Sequence, residues 1–190
     1  MNNLRPSTFL GSVAEINYFR LLRVFPGLDG VMFDLDKTLV GQYEEEVPEE
    51  HMEALILISG LGLRLGIISN AGSEDRTQRV RQVAKDIERA VGDDVPVVTS
   101  YMVGGKVKPF RPVFDAMASK VGIKNSRLCY VGDQLLKDVL GANRAGYGGS
   151  ILVAPYGSGD DPGVRYLQRP IEAAIRRSMG LPLFYRNFSK

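Results

Sequence analysis

With 190 residues, 44% of them apolar, the chain has enough material for one well-buried domain and is short for two. One cysteine and one histidine exclude an internal disulfide and a zinc site built from these two residue types. The formal net charge of +2 combines basic ends with an acidic middle, which favours an anionic surface over a nucleic-acid groove as a partner.

The composition also bears on the cellular compartment of the protein. No stretch reaches the ~18 apolar residues that a membrane-spanning helix needs, and residues 1–6 lack the layout of a signal peptide. Cys129 lies in an apolar run and is predicted to be a buried thiol, which suits a reducing compartment. His51 lies among glutamates on a predicted helix, where we expect it to be solvated. We therefore expect a cytoplasmic protein.

Helices and strands are predicted to alternate along the chain. In chain order, the pattern predicts a helix over 11–25, a strand over 31–35, a helix over 48–59, a strand over 63–69, a helix over 73–91, a strand over 95–99, a helix over 112–121, a strand over 128–131, a helix over 135–145, a strand over 151–153 and a helix over 164–179. Such alternation with short connections predicts an α/β fold, a three-layer sandwich around a mostly parallel, Rossmann-like sheet.

Two aspartates follow the first predicted strand. The apolar run 31–33 leads into Asp34 and Asp36, with Thr38 two residues further on. A buried sheet interior does not tolerate unpaired carboxylates, because each carries a desolvation cost of several kcal/mol. We therefore expect both side chains at the carboxyl edge of the sheet, where open α/β sheets bind ligands. Taken alone, the two residues would be interpreted as an acidic turn without a chemical role.

Other predicted strands end in polar residues that reach the same edge. These are Ser69 and Asn70 after the second strand, Lys108 in the loop after the third, and Asp133 after the fourth, with Asp138 on the following helix. Lys106 lies in the same loop as Lys108 and is the alternative lysine for a phosphate. A plain surface position on the helix is the alternative for Asp138.

Crowded carboxylates raise each other's pKa unless a cation lies among them. Asp34, Asp36 and Asp133 with water molecules suit the octahedral coordination of Mg²⁺, which keeps waters for a substrate phosphate. Lys108 adds a positive charge for a phosphoryl group, and the second strand end supplies hydrogen-bond donors. The residues thus point to a Mg²⁺ site for a phosphorylated substrate.

The order of these groups resembles a known family. The segments DLDKT at 34–38, SN at 69–70, Lys108 before proline and GDQLLKD at 132–138 resemble the four motifs of the haloacid dehalogenase (HAD) superfamily of phosphatases. The runs KPFRP at 108–112 and VGDQLLKDVLGANRAG at 131–146 resemble its subclass IIIA, YqeG-type branch. That branch is similar to the phosphatidylglycerophosphate phosphatases of mitochondria and chloroplasts.

The resemblance implies a HAD-type sheet and a role for each matching residue. Asp34 would be the nucleophile that forms an aspartyl-phosphate, and Asp36 the general acid and base. Mg²⁺ would be held by the Asp34 carboxylate, the Asp36 carbonyl and Asp133.

The remaining motif residues would bind the phosphate or support the site. Ser69, Asn70 and Lys108 would contact the phosphate, Thr38 would be a supporting residue, and Asp138 would orient Lys108 or a metal-bound water. The family often has asparagine where this chain has Lys37, which we interpret as non-catalytic.

The motif spacing leaves no room for a large cap domain. About 30 residues separate Thr38 from Ser69 and about 37 separate Asn70 from Lys108, and one predicted helix and one predicted strand fill each gap. An open site suits a phosphate on a bulky group. Together with this openness, the resemblance to the phosphatidylglycerophosphate phosphatases implies dephosphorylation of phosphatidylglycerophosphate to phosphatidylglycerol. The alternatives are a soluble nucleotide or sugar phosphate as substrate, or a non-catalytic phosphate- or Mg²⁺-binding scaffold.

We expect a single domain over 1–190, with an amphipathic helix within 1–25, a catalytic core over 30–153, and a basic helix and tail over 164–190. Residues 1–25 carry three arginines against one glutamate, and residues 164–190 carry six basic residues against one glutamate. Packing on the sheet is one interpretation of these ends. The other is a peripheral contact with anionic phospholipid on the inner face of the membrane, where each basic residue adds about 1 kcal/mol.

Overall fold

The computed structural model describes residues 2–159 and 162–181. Its sheet has six strands: β1 Thr8–Leu10, β2 Gly30–Phe33, β3 Arg64–Ser69, β4 Val97–Thr99, β5 Leu128–Gly132 and β6 Gly149–Val153. They are all parallel and lie in the order β1-β6-β5-β2-β3-β4. The predicted α/β sandwich is confirmed, and the central strand β2 lies between β5 and β3.

Helices cover both faces of this sheet. The α-helices of the described ranges are α1 Tyr18–Val24, α2 Glu49–Gly60, α3 Glu74–Val91, α4 Arg111–Val121, α5 Leu140–Ala145 and α6 Arg169–Ser178. Wide π-type turns, Leu135–Val139 and Val164–Gln168, lead into α5 and α6. Short 3-10 turns cover Asn2–Leu4, Val13–Glu15, Tyr101–Val103 and Asn125–Arg127. Between β2 and β3, and again between β3 and β4, the described chain has one α-helix and no cap domain.

Alternation along β2 divides the core between two layers. Val31 and Phe33 pack in the larger cluster with α2 and α3, whereas Met32 packs on the other face with α4 and α5. All four residues of β2 are buried, because parallel strands covered on both faces meet apolar side chains everywhere. The sheet edge at the strand ends is therefore where polar side chains can reach a ligand.

The N-terminal segment differs from the predicted helix over 11–25. Helix α1 is confined to Tyr18–Val24, and Thr8–Leu10 forms the edge strand β1, which pairs with β6. A three-residue strand is too short to show an alternating pattern, so β1 could not be predicted from periodicity. The predicted tail falls largely on residues 182–190, which lie outside the described residues.

His51 is fully buried, so its predicted solvated position is wrong. Its Nε2 lies 3.0 Å from Ser12 Oγ and its Nδ1 lies 2.9 Å from the carbonyl oxygen of Leu39. The N-terminal segment covers this side of α2 and provides the partner of Nε2, whereas the loop after β2 provides the partner of Nδ1. Cys129 is buried, as predicted. None of the helices in the described ranges combines the length and apolar character that crossing a bilayer requires.

Candidate active site

The carboxyl ends of β2, β3 and β5 meet at the middle of one sheet edge. Asp34 follows β2 directly, and its backbone N–H donates to the carbonyl oxygen of Val131 at 2.9 Å, so the ladder extends to the aspartate. Ser69 is the last residue of β3, and Asp133 follows the last residue of β5. The predicted convergence of these strand ends is present in the structure.

Lys108 is the centre of the buried polar network at this edge. Its Nζ donates to Asp34 Oδ1 at 2.6 Å, to Asp138 Oδ1 at 2.7 Å and to Tyr130 Oη at 2.9 Å. Its backbone N–H donates to Asn70 Oδ1 at 2.7 Å. Lys108 is 3% exposed, so all these contacts are shielded from water, whereas Lys106 is exposed. The structure therefore places Lys108, and not its alternative, in the site.

Three carboxylates lie close enough to share a cation. Oxygens of Asp34, Asp133 and Asp138 lie within 4.8 Å of one another, and all three residues are buried. Asp138 is thus part of the site and not a surface acid. It approaches the strand end because residue 132 is glycine: a Cβ there would overlap the Asp138 carboxyl group. The wide turn Leu135–Val139 brings the carboxylate back to this point, and its Oδ2 accepts from the N–H of Gln134 at 2.9 Å.

The pKa values in this cluster follow from burial and from the neighbouring charges. Burial raises the pKa of Asp34 to about 8; Lys108 opposes this rise, and Asp138 and Asp133 add to it. Burial likewise raises the pKa of Asp133 to about 6, against the pull of Arg169. The two carboxylates beside Lys108 outweigh its burial and raise its pKa, which keeps the ammonium charged. An additional positive charge would favour the ionised form of both aspartates.

These residues fit a magnesium ion. The donor set consists of carboxylate oxygens, the ligands that Mg²⁺ prefers. Asp133 Oδ1 is buried and has no hydrogen-bond partner among the described residues. Asp138 raises the pKa of both Asp34 and Asp133, and a divalent cation would offset this repulsion between the carboxylates. The cluster therefore has both the ligands and the charge for this ion.

Asp36 occupies a different part of the same cleft. Both of its carboxylate oxygens accept from Arg79 Nη2 at 2.7 Å, and Oδ1 also accepts from the backbone N–H of Tyr43 at 3.0 Å. Arg79 lies on α3 and donates to the carbonyl oxygen of Glu44 at 2.6 Å as well. Asp36 is thus held by the loop that follows β2 and by α3. It lies next to the carboxylate cluster, but its ionic partner is Arg79 and not Lys108.

The other predicted residues lie at the same edge. Ser69 and Asn70 line the cleft together with Asp34, Asp36 and Lys108. Thr38 is buried, and its Oγ1 has no hydrogen-bond partner among the described residues.

Lys37 has a left-handed backbone, φ 63°, and its Nζ donates to the carbonyl oxygens of Gly157 at 3.4 Å and Gly159 at 3.0 Å. These contacts hold the Lys37 ammonium group at the loop after β6, which agrees with its interpretation as a non-catalytic residue.

Sequence reasoning missed a buried ionic group on α6. Arg169, Glu172 and Arg176 are 8%, 1% and 5% exposed, although charged residues on a helix are usually solvated. Arg169 donates to Asp133 Oδ2 and to its carbonyl oxygen, and lies 3.5 Å from Glu172 Oε2. The spacing of three and four residues places them on one side of a helix, which was the available signal.

Known proteins share this sequence pattern. The HAD-hydrolase-like family profile matches residues 106–165, from the Lys108 loop to the segment before α6. Over 175 residues, 90% of this chain and 91% of the relative, the sequence is 28% identical to the "Probable phosphatase YqeG" of Bacillus subtilis (strain 168).

Solved structures share the fold. An uncharacterized protein from Listeria monocytogenes serotype 4b has a TM-score of 0.55 and 22% identity, covering 71% of this chain and 85% of that one. A predicted phosphoglycolate phosphatase from Haemophilus somnus 129pt has a TM-score of 0.51 and 14% identity, covering 67% and 84%. The profile match over residues 106–165 and the Bacillus relative, with the four motif segments on adjacent strand ends, show that the chain is similar to haloacid dehalogenase-like hydrolases of the phosphatase type, and the solved structures share its fold.

Proposed function

We propose that this enzyme is a Mg²⁺-dependent phosphomonoesterase that acts through an aspartyl-phosphate on Asp34. One observation carries the proposal. Asp34 lies at the end of the central strand, bound to Lys108 and within sharing distance of Asp133 and Asp138. A carboxylate surrounded by cation-binding groups can approach a phosphate dianion, whereas an isolated carboxylate would repel it.

In the first step an oxygen of Asp34 attacks phosphorus, and the bond between phosphorus and the leaving oxygen breaks. Lys108 offsets charge on the phosphoryl oxygens, with Ser69 and Asn70 as further contacts. Asp36 gives a proton to the leaving oxygen, so the product departs as an alcohol. The phosphoryl group is then an acyl phosphate on Asp34.

In the second step Asp36 takes a proton from a water molecule that attacks the phosphorus of the aspartyl-phosphate. The bond from phosphorus to Asp34 breaks, so inorganic phosphate leaves and the Asp34 carboxylate is restored. Asp36 ends the cycle protonated and ready for the next leaving group. Thr38 and Asp138 support the two aspartates, the latter through Lys108.

The Asp34 and Asp133 carboxylates and the Asp36 carbonyl would hold the ion. When bound, Mg²⁺ supplies positive charge that lowers the repulsion between Asp34 and the substrate phosphate. Lys108 cannot fill this role alone, because it already neutralises part of both Asp34 and Asp138.

For the substrate we propose phosphatidylglycerophosphate, which would yield phosphatidylglycerol. The cleft is open, with no cap in the described ranges, and this suits a phosphate on a bulky head group. The YqeG-type segments at 108–112 and 131–146 support the same choice. A soluble nucleotide or sugar phosphate remains the second candidate, and a non-catalytic scaffold the third.

We also propose a peripheral contact with anionic phospholipid through the segment before α6. Tyr166 and Leu167 are 72% and 67% exposed, and Ile171 on α6 is 45% exposed, while Arg165 lies beside them. Val164, one residue further back, lines the cleft. An apolar, basic surface next to the site would bring the cleft to its substrate at the inner face of the membrane.

The proposal is tested by phosphate release from phosphatidylglycerophosphate in mixed micelles, from a nucleoside monophosphate and from a sugar phosphate, each with Mg²⁺ and with EDTA. We expect Mg²⁺-dependent release that is greatest for the lipid, and a loss of at least about 1,000-fold in the Asp34→Asn variant, which lacks the nucleophile. Equal rates for wild type and Asp34→Asn would overturn the enzymatic proposal.

A further inference from the structure

The cleft carries more positive charge than one phosphate requires. Arg76 and Arg79 lie one turn apart on α3, and their guanidinium carbons lie 5.4 and 5.9 Å from the centre of the Tyr43 ring. Lys137 reaches the same cleft, of about 160 Å³, from the wide turn after β5. All three line it together with Asp34 and Asp36.

Two of these three cations have no acidic partner among the residues that the structure describes. Arg79 is bound to Asp36, and Lys108 is bound to Asp34 and Asp138. Within the described residues, neither Arg76 nor Lys137 forms an ion pair. Their charges come from two different elements and face a cleft whose acids are already engaged.

The phosphate that is cleaved does not account for them. It must lie against Asp34, where Lys108, Ser69 and Asn70 are its contacts. Arg76 lies over Tyr43, whose N–H binds the carboxylate of Asp36, so this arginine is on the side where the alcohol leaves. A cation on the leaving-group side recognises the part of the substrate that remains after the phosphate is removed.

We propose that Arg76 and Lys137 form a second anion site, and that the substrate is a phosphomonoester whose alcohol carries a further phosphate group. This inference rests on the proposed phosphatase function and assigns the residues that would recognise a second phosphate on its substrate, whether a diester or a monoester. Arginine provides a planar set of donors for phosphate oxygens and lysine a compact charge, so the pair suits an anion with several oxygens.

Arg79 connects this second site with the chemistry. An anion at Arg76 competes with Asp36 for Arg79, which lies on the same ring of Tyr43. An anion held by both arginines would make contacts that a substrate with a single phosphate lacks. The second phosphate should therefore lower KM.

The test compares two ligands that share a glycerol phosphate monoester. Glycerophosphoglycerol phosphate, the water-soluble head group of phosphatidylglycerophosphate, has a diester phosphate that glycerol 3-phosphate lacks. Calorimetric titration of the Asp34→Asn protein with Mg²⁺ measures binding without turnover. We expect the head group to bind at least about 10-fold more tightly, the factor that a charge-assisted contact provides. Equal dissociation constants would overturn the second site.

Further substitutions in the Asp34→Asn protein test which residues cause the tighter binding of the head group. Arg76→Ala and Lys137→Ala should each remove most of the preference for the head group, whereas Arg81→Ala should retain it. Arg81 lies on the same helix and pairs with Glu74, so its loss changes the net charge equally. A parallel loss of affinity for both ligands would mean a general electrostatic or structural effect and would contradict the proposal.

Turnover by the protein that retains Asp34 separates this inference from the proposed function. If neither phosphate is hydrolysed, the phosphatase proposal fails, while the binding comparison still decides the second site. If both are hydrolysed with equal kcat and KM, the second site alone fails.

Titration with fructose 1,6-bisphosphate tests whether the second phosphate belongs to a soluble ligand or to a lipid head group. If this bisphosphate binds more tightly than glycerol 3-phosphate by the same factor as the head group, the second site takes a soluble ligand. If only the head group binds more tightly, the second site takes a lipid.

Discussion

Arg169 binds the carboxylate of Asp133 from the C-terminal helix. Its guanidinium donates to Oδ2 and, at 3.0 Å, to the Asp133 carbonyl oxygen, and both residues are buried. The other carboxylate oxygen, Oδ1, has no hydrogen-bond partner in the described part of the chain. One oxygen is thus fixed by α6 and the other is available, which is the arrangement a metal ligand with an orienting partner requires.

Removing Arg169 should therefore weaken Mg²⁺ binding. We expect the Mg²⁺ dissociation constant of Arg169→Ala to rise about 10–100-fold, as is usual when the partner of a metal ligand is lost. Titration calorimetry of the metal-free protein measures this without reference to activity. Added guanidinium ion should restore part of the affinity, an effect that a general loss of folding would not show.

Arg177 provides the control on the same helix. It is exposed, next to the buried Arg176, and its replacement by alanine removes the same charge. Unchanged Mg²⁺ affinity in Arg169→Ala, or an equal loss in Arg177→Ala, would show that Arg169 does not position Asp133.

Loss of the buried ammonium at position 108 should destabilise the protein. Lys108→Met leaves Asp34 and Asp138 buried without their shared cation, and such uncompensated charge costs about 3–5 kcal/mol. Urea unfolding of the metal-free protein measures the change. Lys106→Met, at an exposed position of the same loop, should change the free energy of unfolding by less than about 0.5 kcal/mol. Equal effects of the two substitutions would contradict the buried network.

Stability of the metal-free protein should fall as pH rises. The pKa of Asp34 is about 8 in the folded protein against 3.8 for an ordinary aspartate, so between these values the folded state holds a proton that the unfolded state has lost. Its contribution is fully present below pH 4 and is lost as pH approaches 8, with a slope of at most about 1.4 kcal/mol per pH unit. Urea midpoints in EDTA for wild type and Asp34→Asn isolate this contribution.

The difference between the two proteins is the decisive quantity, because other ionisable groups titrate in both. Wild type should lose stability with pH more steeply than Asp34→Asn, and Mg²⁺ should reduce the slope by favouring the carboxylate. A wild-type slope no steeper than that of Asp34→Asn would show that Asp34 keeps an ordinary pKa.

The strand ends were the predictable part of the site. An apolar run that stops at a charged residue indicates both a buried strand and its exposed end, and parallel strands bring such ends to one edge. That reasoning placed Asp34, Lys108 and Asp133 together without any knowledge of the sheet order. It also predicted the layered fold, because short apolar runs of strand length alternate along the chain with segments of helical period.

Long-range side-chain contacts were the part that could not be predicted. A basic residue on an amphipathic helix is solvated far more often than buried, so Arg169 gave no sign of its contact with Asp133 across 36 residues. His51 is buried because the segment that contains Ser12, distant in sequence, packs against it. In the sequence, Tyr130 is one more residue of an apolar strand, although its hydroxyl accepts a hydrogen bond from Lys108. Each depends on packing between elements, which local periodicity does not encode.

The surface before α6 should bind anionic membranes. Burial of one leucine is worth about 1.5–3 kcal/mol, so Leu167→Asp should lower binding to phosphatidylglycerol-containing vesicles at least about 10-fold in a flotation assay. Leu57 on α2 has the same exposure, 67%, and Leu57→Asp is the matched control. Negligible binding by the wild type, or equal binding by Leu167→Asp, would exclude this surface as the contact.

The central claim is that Asp34 carries the phosphoryl group. Acid quenching during turnover of a phosphomonoester with Mg²⁺, followed by borohydride reduction and peptide mass spectrometry, traps acyl phosphates at their residue. The mechanism predicts modification of the peptide that contains Asp34, and none in Asp34→Asn. Turnover by wild type with no modified Asp34, or with the label on another residue, would contradict it.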